Sequence, residues 1–291
     1  MNDNAKIIKV GYLISYDYFF ALNSLKEVYQ YADSITFCYD KDFRTWAGNI
    51  FSIPDSFFEK LNELDVDHKI SFYKDTFYLP DTNPMVLDTR QRQMLGNFMG
   101  KGGWHIQVDS DEYPYDFEKL TCFLKSHAFL LKYPHKTPVN FSVKWINIFK
   151  EEADGFYLIK PFNETCYLIT NYPEYTYSRK TATRNFTLDF HVIHQSYARS
   201  ANDIFTKLSN WSHKDDFDIA TFFEQWKSLN RSNYKDLENF HPLTPSTWEC
   251  LEFVESKNID DLISLCKSKY PQPKLKLKTT KKLKLLLKSF I

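Results

Sequence analysis

The stretch Trp104-His-Ile-Gln-Val-Asp-Ser-Asp-Glu-Tyr-Pro114 decides how the chain is read. An apolar run from Trp104 to Val108 ends in three carboxylates, Asp109, Asp111 and Glu112, and Pro114 stops any ladder. A short apolar run with a helical pattern before it reads as a buried strand of an α/β sheet. Ligands of such sheets lie beyond the carboxyl ends of the strands. Acidic side chains crowded there repel one another and so favour a cation. Asp-x-Asp offers hard oxygen ligands suited to Mg2+ or Mn2+, which can in turn hold a diphosphate. A bare Asp-x-Asp is more often a solvated turn; the buried-type strand before it and the basic residues upstream argue for a site.

Composition sets the frame. The 291 residues, 43% hydrophobic and 18% aromatic, suffice for one sizeable core or for a main domain with a helical appendage. None of the seven glycines falls in a G-x-G-x-x-G or G-x-x-x-x-G-K arrangement, which argues against a Rossmann site or a P-loop. Cys38, Cys122, Cys166, Cys250 and Cys266 are scattered with no C-x-x-C pair, so neither a zinc site nor a disulfide framework is expected. The polar opening Met-Asn-Asp-Asn-Ala-Lys and the lack of a membrane-length apolar run point to a reduced, cytoplasmic protein. The zero net charge hides an asymmetry: residues 271–291 hold seven lysines and no acid, so acids outnumber bases in the remainder. A uniformly basic nucleic-acid binder is not expected.

Along the chain, Lys6–Ser15 reads as a strand, Tyr18–Tyr31 as a helix and Ser34–Tyr39 as a second strand ending at Asp40. Such a βαβ unit brings both strand ends to one edge, so Ser15, Tyr16 and Asp40 should crowd together. Asp55 can cap a helix over 56–64, and Lys69–Tyr73 is a third strand. Met85–Met99 is a helix carrying Arg90, Gln91, Arg92 and Gln93, ended by Gly100-Lys-Gly-Gly103. Arg90 and Arg92 point about 200° apart, so only one can face a site. After a helix over 116–126, strands are expected at 139–148, 156–159, 166–170 and 188–194, and helices at 201–208, 219–229, 245–254 and 259–266.

The ordered set resembles the GT-A glycosyltransferases, specifically the large family 2 group and its bacterial surface-polysaccharide enzymes. The matching pieces are the strand–helix–strand opening to Asp40, Thr89-Arg-Gln-Arg-Gln93, Val108-Asp-Ser-Asp-Glu112, His191-Val-Ile-His-Gln-Ser-Tyr-Ala-Arg-Ser200 and Lys207-Leu-Ser-Asn-Trp-Ser-His-Lys-Asp-Asp-Phe217, covering roughly residues 6–245. The resemblance implies a mostly parallel central sheet flanked by helices, a smaller β layer and a C-terminal helical extension. It divides the chain into a catalytic domain over 1–199, a helical extension over 200–270 and a basic tail over 271–291. It implies a Mn2+- or Mg2+-dependent transfer of a sugar from a nucleotide-sugar donor to a glycan or lipid-linked acceptor, in cell-surface polysaccharide synthesis. Arg92 and Gln93 would approach the diphosphate, Ser15, Asp40 and Asp109 the nucleoside, and Asp109, Asp111 and His194 the metal.

Each assignment has a plainer reading. Arg92 can be a surface charge and His194 a structural histidine; His191, three positions earlier, faces the other side of its strand. His213 can meet phosphates from a loop or simply lie on the surface. Inverting members of the family use a carboxylate base from a motif that is not evident here; Glu152, Asp154 and Glu164 lie in the right segment without a basis for choice. A sugar nucleotidyltransferase and a non-catalytic nucleotide-sugar-binding protein are the alternative functions. In the tail, Leu283, Leu286, Leu287 and Phe290 fall on one helical stripe with lysines on the other faces. That is the pattern of a helix lying on an anionic inner-membrane surface, or of one docked on the acidic body.

Overall fold

The computed structural model describes residues 7–210 and 217–290. The first half alternates strand and helix: β1 (Ile8–Leu13), α1 (Ala21–Val28), β2 (Ser34–Asp40), α2 (Asp55–Leu64), β3 (Ile70–Asp75), α3 (Pro84–Phe98) and β4 (Trp104–Asp109). These strands pair in parallel in the order β3-β2-β1-β4. β1 is buried along its whole length, as the unbroken apolar runs require of strands covered on both faces. α3 crosses β1 closely: a Cβ on Gly11 would lie 2.8 Å from Leu95 Cδ2 and 2.9 Å from Met99 Sδ. Asn83 caps the start of α3 by accepting from the Met85 N–H, and Gly100 ends it at φ +78°, a left-handed value. Asp55 does not cap α2; it sits in the first turn, behind Pro54.

The second half makes the sheet mixed rather than mostly parallel. After β5 (Glu112–Tyr113) and α4 (Phe117–Ser126) come β6 (Val139–Glu152), β7 (Gly155–Lys160) and β8 (Thr165–Thr170). β8 runs antiparallel to both β4 and β6, so it joins the two halves. A small hairpin, β9 (Tyr175–Tyr177) and β10 (Lys180–Thr181), precedes β11 (Arg184–His194), which lies parallel to β6 and sets His194 beside Asn147.

Three helices and a strand follow: α5 (Ala201–Asn210), α6 (Ile219–Ser228), β12 (Cys250–Glu255) and α7 (Ile259–Lys269), with α8 (Thr279–Phe290) at the end. The expected helix over 245–254 is therefore corrected to a strand. Leu251 and Val254 have helical spacing, but the open edge of β7 offers a ladder, and β12 completes it with Leu251 opposite Ile159 and Phe253 opposite Tyr157. Residues 200–270 pack against the sheet. Tyr197, Ile204, Leu208, Phe222, Trp226, Trp248 and Leu251 share one core with Phe149, Tyr157 and Ile159 of β6 and β7, while α7 packs with Tyr113, Ile146 and Ile148.

Candidate functional site

A cavity of about 470 Å³ opens where β1, β2 and β4 end, at Leu13, Asp40 and Asp109. Its far wall comes from β6, the β7–β8 loop, the end of β11 and the segment around His241 and Trp248. The acidic turn forms the floor. Asp109 Oδ1 accepts from Arg92 Nη2 at 2.8 Å, and Arg179 Nη2 lies 3.6 Å from Oδ2. Burial pushes the Asp109 pKa up, but Arg92 and Arg179 outweigh it and hold it below the usual carboxylate range. Asp111 is more deeply enclosed. Its Oδ2 accepts from Arg199 Nη2 and, at 3.1 Å, from Lys207 Nζ, with His194 Nε2 at 3.6 Å. Burial again opposes ionisation, yet Lys207, His194 and Arg199 hold Asp111 well below the ordinary value.

Distant segments are tied down to supply these cations. The β9–β10 hairpin is pinned to α3 by Tyr175 N–H to Gln93 Oε1 and Ser178 N–H to Thr89 Oγ1, both 2.8 Å. It delivers Arg179, whose fork grips buried Glu112 at 2.6 and 2.8 Å. After β11, Gln195 N–H donates to the Asp111 carbonyl at 2.9 Å, and Gln195 Oε1 accepts from Tyr113 Oη. This places Arg199, which also holds Asp17 at 2.9 Å and lies 4.9 Å over the Phe20 ring. Lys207 reaches in from α5 and also donates to the Ser196 carbonyl at 3.0 Å.

The other sequence candidates divide. Arg92 lines the cavity, braced by Asp88 at 2.6 Å, and its buried Nη1 has no hydrogen-bond partner among the described residues. Arg90 turns away to the carbonyls of Thr76 and Phe77. Gln93 is not brought to the cavity: its amide donates to Asn97 and to the Pro173 carbonyl and holds the hairpin. Gln91 lines the cavity instead and accepts from Trp46 Nε1 at 2.7 Å. Ser15 lies at the rim, donating to Asp17 at 3.2 Å. Asp40 lines the cavity, but its two oxygens accept from four backbone N–H groups, those of Asp42, Arg44, Phe77 and Tyr78. Its main work is to fold the loops that form the rim. His213 lies outside the described residues.

The far wall is aromatic and contains a carboxylate. Trp145 stacks on His194, ring centroids 4.7 Å apart, and Trp248 meets His241 at 4.4 Å. Glu164 Oε2 accepts from Asn147 Nδ2 at 2.5 Å and Trp248 Nε1 at 2.6 Å. Of the three carboxylates left open by the sequence, Glu164 alone lines the cavity. Asp154 and Glu152 sit at the β6–β7 hairpin, where Asp154 is exposed and accepts from Arg231 at 3.3 Å.

The expected metal was tested against these donors. His194 Nδ1 is held by Asn147 Oδ1 at 2.8 Å, which leaves Nε2 directed to the Asp111 side. Asp111 and His194 face one another, but the Asp111 oxygen on that side is already held by Arg199 and Lys207. Asp109 is engaged by two arginines, and no group of three such side chains forms a cage among the described residues. Mg2+-type ions are commonly held by one or two carboxylates with substrate phosphates completing the shell, but here both aspartates of the turn are already neutralised by fixed cations, so the donors present do not fit a divalent ion.

No family model matches the chain, and no curated relative does. Among solved structures, a mannose-6-phosphate isomerase from Helicobacter pylori aligns over 78% of this chain and 83% of its own, at 11% identity and a TM-score of 0.33. A likeness at that level carries no argument.

Proposed function

We propose that the protein is a glycosyltransferase of the GT-A type, moving a sugar from a nucleotide-sugar donor to a hydroxyl of a glycan or lipid-linked acceptor. The observation that carries this reading is one cavity with two unlike walls: an acidic turn ringed by Arg92, Arg179, Arg199 and Lys207, facing an aromatic wall that holds Glu164. The nucleoside lies along the β1–β2 edge, near Ser15 and Trp46. The diphosphate lies over the turn, in the field of the enclosed Arg92 and Arg199 and beside Lys207. Trp145, half-buried at the cavity, offers a flat apolar face of the kind sugar rings stack on.

In the reaction the acceptor hydroxyl oxygen bonds to the anomeric carbon as that carbon's bond to the diphosphate breaks. The bonding pair leaves with the nucleoside diphosphate, and the hydroxyl proton passes to Glu164, giving inversion. Fixed guanidinium and ammonium groups stabilise the charge that builds on the leaving group. The product belongs to surface-polysaccharide assembly.

The test begins with thermal melts of the protein against a panel of nucleoside diphosphates, with and without Mn2+. A ligand at about a hundred times its Kd stabilises by about 2.7 kcal/mol, or about 4 °C for a chain of this size. Labelled nucleotide sugars of the base that binds should then be hydrolysed slowly or transferred. If no nucleoside diphosphate raises the melting temperature, the reading is wrong. Binding without any turnover favours the non-catalytic alternative, and joining of a sugar phosphate to a nucleotide favours the nucleotidyltransferase.

A further inference from the structure

A second surface lies at the opposite end of the strands from the cavity. There Asn171 ties the turn Ala128–Leu131 to the start of β6, donating to the Leu130 carbonyl at 2.8 Å and accepting from Val139 N–H at 2.8 Å. α8 packs on this turn. Its anchor is Leu285, only 3% exposed, and Leu275 and Leu277 pack against the same core on the way in. Residues two apart on a helix lie about 200° round its axis. Leu283 and Leu287, each two positions from Leu285, therefore face away from the body. They are 58% and 57% exposed, and being four apart they form one ridge.

Docking thus leaves Leu283 and Leu287 of the tail's apolar stripe outward, while Leu286 is half-buried and the side chain of Phe290 lies outside the described residues. Lys284 and Lys288 stand exposed beside the ridge, one position on from each leucine. The whole segment 271–291 has seven lysines and no acid. Beyond the turn that carries α8, exposed Lys132 and Lys136 continue the basic surface, each with its ammonium 5.3 Å from the ring of Tyr133.

We propose that this face of α8, with the adjoining 132–136 turn, binds the surface of a bilayer containing anionic phospholipids. An apolar ridge bordered by lysines matches the boundary between acyl chains and phosphate headgroups, with the lysine stems lying along the apolar layer and their ammonium groups in the headgroups. The absence of any acid in the segment suits a uniformly anionic partner. Because Leu285 and its neighbours fix the helix to the core, such contact sets the orientation of the whole molecule. The cavity, five strand steps or roughly 17 Å away along β4, stays uncovered. None of this depends on the transferase reading.

The full chain is sedimented with phosphatidylcholine vesicles, with and without about one third phosphatidylglycerol. The intact protein should bind the anionic vesicles at low salt and not the neutral ones. Leu283→Asp/Leu287→Asp, at exposed positions, should melt like the parent and lose vesicle binding. Lys284→Glu/Lys288→Glu should lower the partition coefficient by roughly 30-fold or more. Lys227→Glu/Lys257→Glu, the same charge change at exposed positions by the other end of β6, should bind nearly as the parent does. Failure of the parent to bind at low salt overturns the proposal, as does equal loss in the Lys227/Lys257 control. So does a parent dimer that ignores vesicles and is dissociated by the leucine changes, since the ridge would then be an interface between two copies.

Discussion

Asp111→Asn tests the electrostatics of the acidic turn without any assumption about substrate. The side chain is 7% exposed, Arg199 beside it 1% and Lys207 18%, so the substitution leaves two enclosed cations with one counter-ion fewer. Removing one partner of a buried pair typically costs about 3–5 kcal/mol. The lower end applies, because Arg199 retains Asp17 at 2.9 Å and Lys207 retains the Ser196 carbonyl at 3.0 Å. About 3 kcal/mol in a chain of this length lowers the melting temperature by about 5 °C. Adding Lys207→Met removes one orphaned ammonium and should restore part of that loss. The pH dependence has a definite sign. Asp111 is held well below its ordinary value, so its stabilisation is fully present above the unfolded carboxylate range, near pH 4, and fades as pH falls through its folded value. The gap between parent and variant in thermal melts should therefore be constant at neutral pH and narrow in acid. A variant melting within about 1 °C of the parent at pH 7, or a gap that widens in acid, would refute the reasoning.

Three further outcomes follow from the same geometry. Glu164→Gln keeps an acceptor for Asn147 and Trp248, so melting and nucleoside diphosphate affinity should be unchanged while the transfer rate falls roughly 10²–10⁴-fold; a rate within about tenfold of the parent removes Glu164 as the base. Arg92→Ala should lower donor kcat/KM by roughly 10- to 150-fold and also the melting temperature, because Asp88 and Asp109 lose a shared partner, whereas Arg90→Ala should leave donor kinetics near the parent's; the reverse order would show that Arg90 serves the phosphates. His105 is fully buried, and burial with Lys9 nearby pushes its pKa down to about 4. The unfolded chain thus takes up a proton below about pH 6.5 that the folded one refuses, making folding about 3 kcal/mol less favourable at pH 4 than at pH 7; His105→Phe should flatten that part of a urea-denaturation profile, and an unchanged slope contradicts the assignment.

The alternation of strand and helix up to β4 was legible because each element there carries its own period, and the acidic turn because it ends a buried run. β12 was not legible: Leu251 and Val254 fit a helix face as well as a strand, and only the vacant edge of β7 decides between them. The partners of the acidic turn were hidden for a related reason. Arg179, Arg199 and Lys207 come from 67, 88 and 96 residues beyond their carboxylates, and no local pattern marks them. Arg199 and Lys207 lie in stretches that resemble the GT-A enzymes, yet nothing in their neighbours says that they turn back to Asp111. Gln93 shows the converse. It adjoins Arg92 in sequence, but one step on a helix turns the side chain by about 100°, and packing against the hairpin decides which of the two faces the cavity.

Asp40 and Leu285 show what a side chain's chemistry leaves undetermined even when its place is read correctly. Asp40 stands at the end of β2, where the sequence puts it, but a carboxylate there can serve a ligand or the backbone. Four N–H groups from two loops occupy its oxygens, so the same residue that marks the cavity's edge is spent on building it. Leu285 is one of many leucines in the tail, outside the stripe that periodicity selects. The core recruits it because it lies opposite that stripe, which allows the helix to be held by one face while presenting the other. In both places the ambiguity lies between using a group inside the protein and offering it outside. Periodicity and composition do not distinguish these uses, since each puts the same residue at the same position; hydrogen-bond saturation for Asp40 and exposure for Leu283 and Leu287 do.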